Sequence, residues 1–224
     1  MQNKLKEVYG FAPIYRVRNA PYNSSKCNSA VNRNNDNGLQ IIWHGLSIYY
    51  QSRGIHVILE AISKCDNSVM LTLQGNINEE QKNIINEKCK ELNISNRVMI
   101  KPPAHPDKIV ESLYDYDIGV SAELPLEENQ ILTSSNKLFE YIHAGLAIIA
   151  SDLTGLAETI QEYQNGILYE AGNSTKLAEA ITKLCNNREL LKQLKTRSLE
   201  TAKNLNWCND YQPVYNYIMK HASH

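Results

Sequence analysis

Hydrophobic positions from Leu39 onward follow two alternating patterns. Short apolar runs that end at glycine, proline or a polar turn alternate with longer segments in which apolar residues recur at helical spacing. The short runs predict six strands, at residues 39–45, 68–75, 97–103, 117–123, 146–151 and 166–170. The longer segments predict helices at residues 54–65, 78–93, 105–116, from near Lys137, at 154–163 and at 173–187, and then a tail, residues 187–221, that is helical throughout.

This alternation of strands and helices is typical of βαβ units, which build a parallel sheet covered on both faces by helices. We therefore predict an α/β fold, a single doubly wound, Rossmann-like domain with a helical C-terminal tail. Ligands of such sheets bind beyond the carboxyl ends of the strands. The loops expected to carry a site follow His44, Leu73, Ile100, Val120, Ala150 and Tyr169.

The first 38 residues have a different residue composition and pattern. Residues 1–21 predict a short helix that ends near Gly10 and then an extended segment. Residues 22–38 are rich in asparagine and serine and nearly free of large apolar side chains, which predicts a loop or linker. We expect an N-terminal appendage at 1–38 and one domain at 39–224.

Composition narrows the class of protein. The chain has 224 residues, with 23 Lys+Arg against 24 Asp+Glu, and this balance argues against a nucleic-acid-binding protein. No apolar run is long enough to cross a bilayer, so no transmembrane segment is expected. The five cysteines are scattered and form no CxxC pair, which argues against a disulfide framework or a metal site. We expect a cytoplasmic protein, with a peripheral position at the inner face of the cell membrane left open.

The segment from Thr133 to Gly155 carries the strongest candidate chemistry. The sequence TSSN precedes the helix that begins near Lys137, and free backbone N–H groups at a helix start form an anion site. Glu140 lies one turn further on and could accept hydrogen bonds from the two hydroxyls of a ribose. An ordinary capped helix with a surface Lys–Glu pair explains the same residues, and both interpretations stay open at this point.

Other candidates lie in the loops at the same edge of the sheet. Arg53 follows the first strand and could clamp a phosphate group, or it could be a solvated arginine. The sequence IKPPAHP after the third strand is suited to flank a flat ring or simply to end the strand. Of three acidic residues after the fourth strand, Glu123, Glu127 and Glu128, at least two are expected to be solvated. His44 is expected to be a satisfied histidine at the edge of the core.

Taken together, these pieces resemble the nucleotide-sugar-binding domain of GT-B glycosyltransferases, specifically the retaining, metal-independent group 1 family. The signature helix and strand of this family resemble the segment SSNKLFEYIHAGLAIIASDLTGLAE. Its first strand, phosphate loop and helix resemble LQIIWHGLS with RGIHVILEAI. NGILYEAGNSTKLAEAI resembles its usual C-terminal segment. The resemblance runs from about Leu39 to the C-terminus and implies the C-terminal half of a GT-B fold.

The resemblance also implies residue roles. The donor would be a UDP- or GDP-linked sugar and the acceptor a sugar or lipid-linked hydroxyl, with no other cofactor. Arg53 and Lys137 would be the catalytic cations beside the departing diphosphate. The remaining donor-binding residues would be Gly45, Ser134, Ser135 and Asn136 at the phosphates, Ile100, Lys101 and Pro102 at the base, and Glu140 at the ribose.

Two departures from the family pattern stand out. The family usually has a second carboxylate before Glu140, with seven residues between the two, and Leu132 occupies that position here. Residues 9–21 resemble the end of the N-terminal half of such enzymes, and residues 206–221 resemble the helix that packs back onto that half. Trp207, Tyr211 and Tyr215 are therefore expected to be partly exposed unless a partner covers them.

Three functions remain as hypotheses. The first is the donor-binding part of a glycosyltransferase in bacterial surface polysaccharide or O-antigen assembly, which works with a separately encoded N-terminal half or is the remnant of a truncated gene. The second is a module that binds a nucleotide sugar without catalysis. The third, a receiver-type signalling domain, is disfavoured because the first strand, IIWHG, is not followed by an acidic cluster.

Overall fold

The structure, a computed structural model, describes residues 15, 17–18, 20–21 and 38–221. The predicted helix before Gly10 and most of the predicted linker lie outside the described residues. The division into an appendage and a domain at residue 38 therefore stays a prediction.

The described chain forms one six-stranded sheet in which all pairings are parallel. The strands are β1 (Leu39–Ser47), β2 (Val69–Asn76), β3 (Val98–Lys101), β4 (Ile118–Ser121), β5 (Ala147–Ser151) and β6 (Gly166–Tyr169). Their order across the sheet is β3-β2-β1-β4-β5-β6. The chain therefore winds outward in one direction from β1 and then in the other direction from β4, which confirms the predicted doubly wound α/β fold.

Nine α-helices in the described residues complete the fold. They are α1 (Ile55–Ser63), α2 (Glu79–Glu91), α3 (Ile109–Ser112), α4 (Glu128–Leu132), α5 (Asn136–Ala144), α6 (Thr154–Tyr163), α7 (Ser174–Asn186), α8 (Arg188–Ala202) and α9 (Trp207–His221). Asn173 caps α7 through its side chain, which accepts hydrogen bonds from the N–H groups of Thr175 and Lys176.

Two helical predictions were wrong in detail, and one short helix was not predicted. The segment 105–116 is a 3-10 turn, Pro106–Lys108, followed by the four-residue α3 instead of one long helix. The tail is two helices, because the buried Leu205 and the cap formed by Asn206, whose Oδ1 accepts the N–H of Asn209 at 2.9 Å, end one helix and begin the next. The loop after β4 contains a short helix, α4, that the sequence pattern did not indicate.

Both faces of the sheet are buried, which is why its strands read as nearly continuous apolar runs. Along β1, Ile41 and Trp43 pack into one hydrophobic cluster and Ile42 packs into the other. One cluster includes residues of α1 and α7, and the other includes residues of α5 and α6. Burial of both strand faces holds the loops at the carboxyl edge in fixed positions.

The centre of the sheet opens between β1 and β4. These strands pair only at Ile41–Ile118 and Ile42–Gly119, and beyond that point they separate. Tyr141 of α5 packs against Gly119, where an added Cβ would lie 2.3 Å from the tyrosine ring. Glycine is therefore required at residue 119 for α5 to approach the sheet, and α5 consequently begins at the mouth of the opening.

Candidate functional site

A cleft of about 390 Å³ lies at the carboxyl edge of the sheet, where β1 and β4 diverge. This is the point at which the strand order reverses, and open α/β sheets bind their ligands there. The lining comes from the end of β1, the loop before α1, the loop after β3, the end of β4 and the start of α5. The lining residues are Trp43, His44, Gly45, Leu46, Ser47, Arg53, Gln74, Pro103, Ala104, Pro106, Ile109, Glu123, Ser135, Asn136, Lys137 and Glu140.

Arg53 is held at the cleft by the glycine that follows it. Gly54 has φ of 68°, a left-handed conformation, and an added Cβ would lie 2.0 Å from the carbonyl oxygen of Ala122. The loop before α1 therefore packs directly on the end of β4. Arg53 is exposed at the cleft, and no carboxylate of the described residues lies within 4.0 Å of its guanidinium. Its charge is available to an anionic ligand.

The start of α5 forms the opposite wall. Ser135 occupies the N-cap position, but no side chain caps the helix, and Ser135 Oγ is buried without a hydrogen-bond partner among the described residues. Backbone N–H groups at an uncapped helix start carry partial positive charge and point outward along the axis. This end of α5 can therefore hold an anion.

Lys137 is not the solvated lysine of a surface Lys–Glu pair. Its ammonium contacts Glu123 Oε1 at 2.5 Å, and both side chains are about nine-tenths buried. The ammonium also lies 4.8 Å from the centroid of the Trp43 ring. The possibility that Lys137 pairs with Glu140 on the surface of α5 is therefore wrong, and the charge of Lys137 is balanced within the protein.

Glu140 contacts His44 instead. His44 Nε2 lies 3.0 Å from Glu140 Oε2, a close contact whose angles do not form an aligned hydrogen bond. His44 is held from behind by Tyr141, whose ring meets the imidazole edge-on at a centroid distance of 5.2 Å. The strand end and the helix thus fix the carboxylate of Glu140 in the cleft. The expectation that His44 belongs only to the edge of the core missed this contact.

The cleft includes six of the predicted site residues and not the other four. Gly45, Arg53, Ser135, Asn136, Lys137 and Glu140 line it. Ser134 faces α6 instead, with its hydroxyl donating to Gly155 O at 2.6 Å. Ile100, Lys101 and Pro102 do not line the cleft, and Lys101 Nζ donates to Tyr116 Oη at 3.0 Å. The next residues of the same loop, Pro103 and Ala104, line it.

Glu123 is the functional candidate that the sequence pattern undervalued. Glu127 and Glu128 are exposed and lie off the cleft, as expected for at least two of the three acidic residues. Glu123 is 7% exposed and lines the cleft. The sequence signal that could have identified Glu123 was its position directly after the fourth strand. Leu132, at the position of the family's other carboxylate, does not line the cleft.

Two further features bear on the class of site. Among residues 15, 17–18, 20–21 and 38–221, no three His, Cys, Asp or Glu side chains are grouped so that they could hold a metal ion. Of the helices in that same part of the chain, none combines the length and the apolar composition needed to cross a bilayer.

Comparison with known families identifies the chain. Residues 38–187 match the family described as glycosyl transferases group 1, and this range is more than half of the sequence. The chain belongs to this family. The resemblance seen in the sequence is thereby confirmed, and the cleft lies within the matched range.

Individual relatives agree with this assignment. The D-inositol 3-phosphate glycosyltransferase of Nocardia farcinica is 24% identical over 123 residues, which cover 55% of this chain and 26% of that protein. HepE of Anabaena, solved in complex with UDP, has a TM-score of 0.70 at 16% identity and aligns with 82% of this chain and 49% of its own. WaaG, a glycosyltransferase involved in lipopolysaccharide biosynthesis, has a TM-score of 0.64 at 13% identity and aligns with 84% of this chain and 48% of its own.

The similarity to these solved structures shows that the domain described here has the same fold as they have. The chain spans about half the length of the solved structures and about a quarter of the curated relative. The matched domain is therefore one part of what those proteins contain.

Proposed function

We propose that this group 1 glycosyltransferase chain is the donor-binding part of an enzyme that transfers a sugar from a UDP- or GDP-linked donor to a sugar or lipid-linked acceptor. The observation that carries the proposal is the position of Arg53 in the cleft. Its guanidinium, with which no carboxylate of the described residues pairs, lines the same cleft as the uncapped start of α5. A diphosphate is the part of a nucleotide sugar that needs two such positive groups.

The charges of the cleft favour a diphosphate over a single anion. Lys137 is balanced by Glu123, and Glu140 contacts His44. Arg53 and the helix start therefore remain as the positive groups for the ligand. Negative charge grows on the diphosphate as it leaves the sugar, so fixed positive groups there lower the barrier to transfer. Arg53 is the residue of the described chain best placed for that role.

Glu140 supports a nucleoside as the other end of the ligand. A carboxylate accepts hydrogen bonds only, and a ribose offers two neighbouring hydroxyl donors. His44 contacts Oε2, and no donor among the described residues contacts Oε1. Pro103 and Ala104 provide a nonpolar wall of the cleft suited to the flat base.

The biological role is proposed as bacterial surface polysaccharide assembly in the cytoplasm, at the inner face of the membrane. WaaG, with the same fold, is involved in lipopolysaccharide biosynthesis. HepE has been solved with UDP and with UDP-glucose, which supports a nucleotide sugar as the ligand here. Retention of the sugar's stereochemistry rests on the resemblance to the retaining family.

A second candidate is a module that binds a nucleotide sugar without catalysis. Both candidates share the donor site and differ in whether the bound donor is used in catalysis.

Calorimetric titration with UDP and GDP, followed by assays of donor hydrolysis and transfer, tests both. We expect binding of at least one nucleotide, and Arg53→Gln should weaken it by about tenfold or more, because a charge-assisted contact to phosphate is lost. Arg188→Gln, which removes an exposed arginine outside the cleft, is the matched control. Absence of binding by the folded chain would refute the donor site.

A further inference from the structure

Glu123 is placed with unusual precision for a residue just beyond a strand. Its carbonyl oxygen accepts a hydrogen bond from Ser151 Oγ of β5 at 2.7 Å. The preceding residue, Ala122, packs on Gly54 of the loop that carries Arg53. The backbone at Glu123 is thus fixed from two sides, and both Glu123 and Arg53 line the cleft.

One carboxylate oxygen of Glu123 is already engaged. Oε1 contacts the ammonium of Lys137, which comes from the first turn of α5 and lies over the Trp43 ring. For Oε2, no hydrogen-bond donor exists among the described residues. The carboxylate therefore has one oxygen held in place and one acceptor oxygen left over.

Stability alone is a weak reason for this pair. Two charges that are each about nine-tenths buried lose most of their hydration, and their attraction roughly offsets that loss. Apolar side chains of similar size would stabilise the fold as well or better. An ion pair that lines a cleft and leaves an acceptor unused is better explained by a ligand.

The chemistry of the pair selects the part of the ligand. A carboxylate repels phosphate and accepts from hydroxyl groups, which a sugar ring carries in number. Arg53 lines the same cleft, and the transferred sugar is bonded directly to the phosphate that Arg53 would hold. Glu123 follows Ala122, on which the loop of Arg53 packs, so its carboxylate is the one expected at that sugar. Glu140, held by His44, serves the nucleoside end.

We propose that Glu123 contacts the donor sugar, accepting a hydrogen bond from one of its ring hydroxyls through Oε2. Lys137 is the positioning residue that holds the carboxylate in its orientation. This inference rests on the proposed donor-binding function and adds the residue that recognises the sugar itself.

The test compares nucleotides with and without the sugar. Affinities for UDP, GDP, UDP-glucose, UDP-N-acetylglucosamine and GDP-mannose are measured by calorimetry on the full chain, wild type and Glu123→Gln. We expect the variant to bind the nucleoside diphosphate within about threefold of wild type. Its affinity for the preferred sugar nucleotide should fall by about tenfold or more, as expected when a hydrogen bond to a charged acceptor is weakened.

Two further variants keep the test sound. Glu123→Gln leaves Lys137 buried without a counter-charge, so a double variant, Glu123→Gln with Lys137→Gln, removes both charges and avoids that penalty. It should show the same selective loss. Glu127→Gln, an exposed carboxylate four residues along the same loop, is the matched control and should bind every ligand as wild type does.

The possible outcomes separate the two proposals. If nucleoside diphosphates bind and the ratio of sugar-nucleotide to nucleotide affinity is the same in wild type and both Glu123 variants, the sugar contact is refuted and the donor site stands. If neither UDP nor GDP binds the folded wild-type chain, the donor site fails and the sugar contact fails with it.

Discussion

The hydroxyl of Tyr141 accepts a hydrogen bond from the backbone N–H of His44 at 3.2 Å, at the point where β1 parts from β4. The same hydroxyl lies 3.2 Å from the carbonyl oxygen of Val120 and can donate to it. One side chain from α5 thus satisfies polar backbone groups on both strands where their own pairing has ended. The opening that forms the cleft is stable because of this phenol.

Tyr141→Phe should therefore destabilise the fold. The change leaves the His44 N–H and the Val120 carbonyl buried without their partner, and we expect a loss of about 1–3 kcal/mol in the free energy of unfolding. Urea denaturation followed by circular dichroism measures this loss. Tyr217→Phe, at an exposed tyrosine of α9, should change stability little. Equal stability of the two variants would contradict the role of the hydroxyl.

Gly54→Ala should disturb both stability and ligand binding. The added methyl group would lie 2.0 Å from Ala122 O, and the alanine would have to adopt a φ of 68°. Gly172→Ala is a matched control, because its φ is 79° but its Cβ would meet only Leu124 Cδ2, at 3.7 Å. Left-handed strain alone costs roughly 1–2 kcal/mol, so Gly172→Ala should lose about that amount.

We expect Gly54→Ala to lose more stability than Gly172→Ala and also to weaken UDP or GDP binding, because Arg53 would shift with the loop. Denaturation measures the stability of the two variants, and calorimetry measures their nucleotide binding. Nucleotide binding that is unaffected by Gly54→Ala would show that the packing of this loop on β4 does not position Arg53.

Glu140→Ala should distinguish ribose from phosphate recognition. Loss of the carboxylate removes acceptors for two hydroxyls, and we expect UDP affinity to fall by about tenfold or more. Affinity for inorganic pyrophosphate, which has no ribose, should fall by no more than about threefold. Calorimetric competition measures both, with Glu128→Ala as the control at an exposed carboxylate off the cleft. An equal loss for the two ligands would argue against a ribose contact.

His143 should make stability depend on pH. The residue is buried in α5, and burial holds the pKa of its imidazole below the ordinary value of 6.5. The unfolded chain therefore binds a proton at a pH where the folded chain does not, so stability is lost as pH falls below about 6.5. This contribution amounts to up to about 1.4 kcal/mol for each pH unit until the folded pKa is reached.

The measurement is the free energy of unfolding between pH 7.5 and 5 for wild type and His143→Gln. The variant should show a shallower decrease with falling pH, whatever its absolute stability. His105→Gln removes a histidine whose side chain is 71% exposed and should keep the wild-type slope. A slope unchanged in His143→Gln would show that this residue does not titrate with folding.

The exposed face of α9 follows the sequence-based expectation. Trp207 and Tyr215 are 38% and 47% exposed, and Tyr211 is partly buried by stacking on Trp207 at a centroid distance of 4.7 Å. The predicted partial exposure of these three aromatic residues is confirmed. Helical periodicity alone could give this result, because Trp207, Tyr211 and Tyr215 are spaced four residues apart.

The sequence by itself determined the parallel sheet, the type of each main element and the edge at which the cleft lies. Burial of both sheet faces forces apolar runs into the strands, and the helices on each face impose their own period, so both signals are local. The family signature of α5 and β5 was equally local, since it lies within one continuous segment that includes Glu140 and Gly145.

Only the tertiary structure decided which side chains meet. Lys137 and Glu123 are 14 residues apart and His44 and Glu140 are 96 apart, and no spacing rule predicts either contact. The pairs form because Gly119 lets Tyr141 bring α5 against the diverging ends of β1 and β4. Charge balance in the cleft depends on that approach, and among the described residues that line the cleft it leaves Arg53 as a cation available to a ligand.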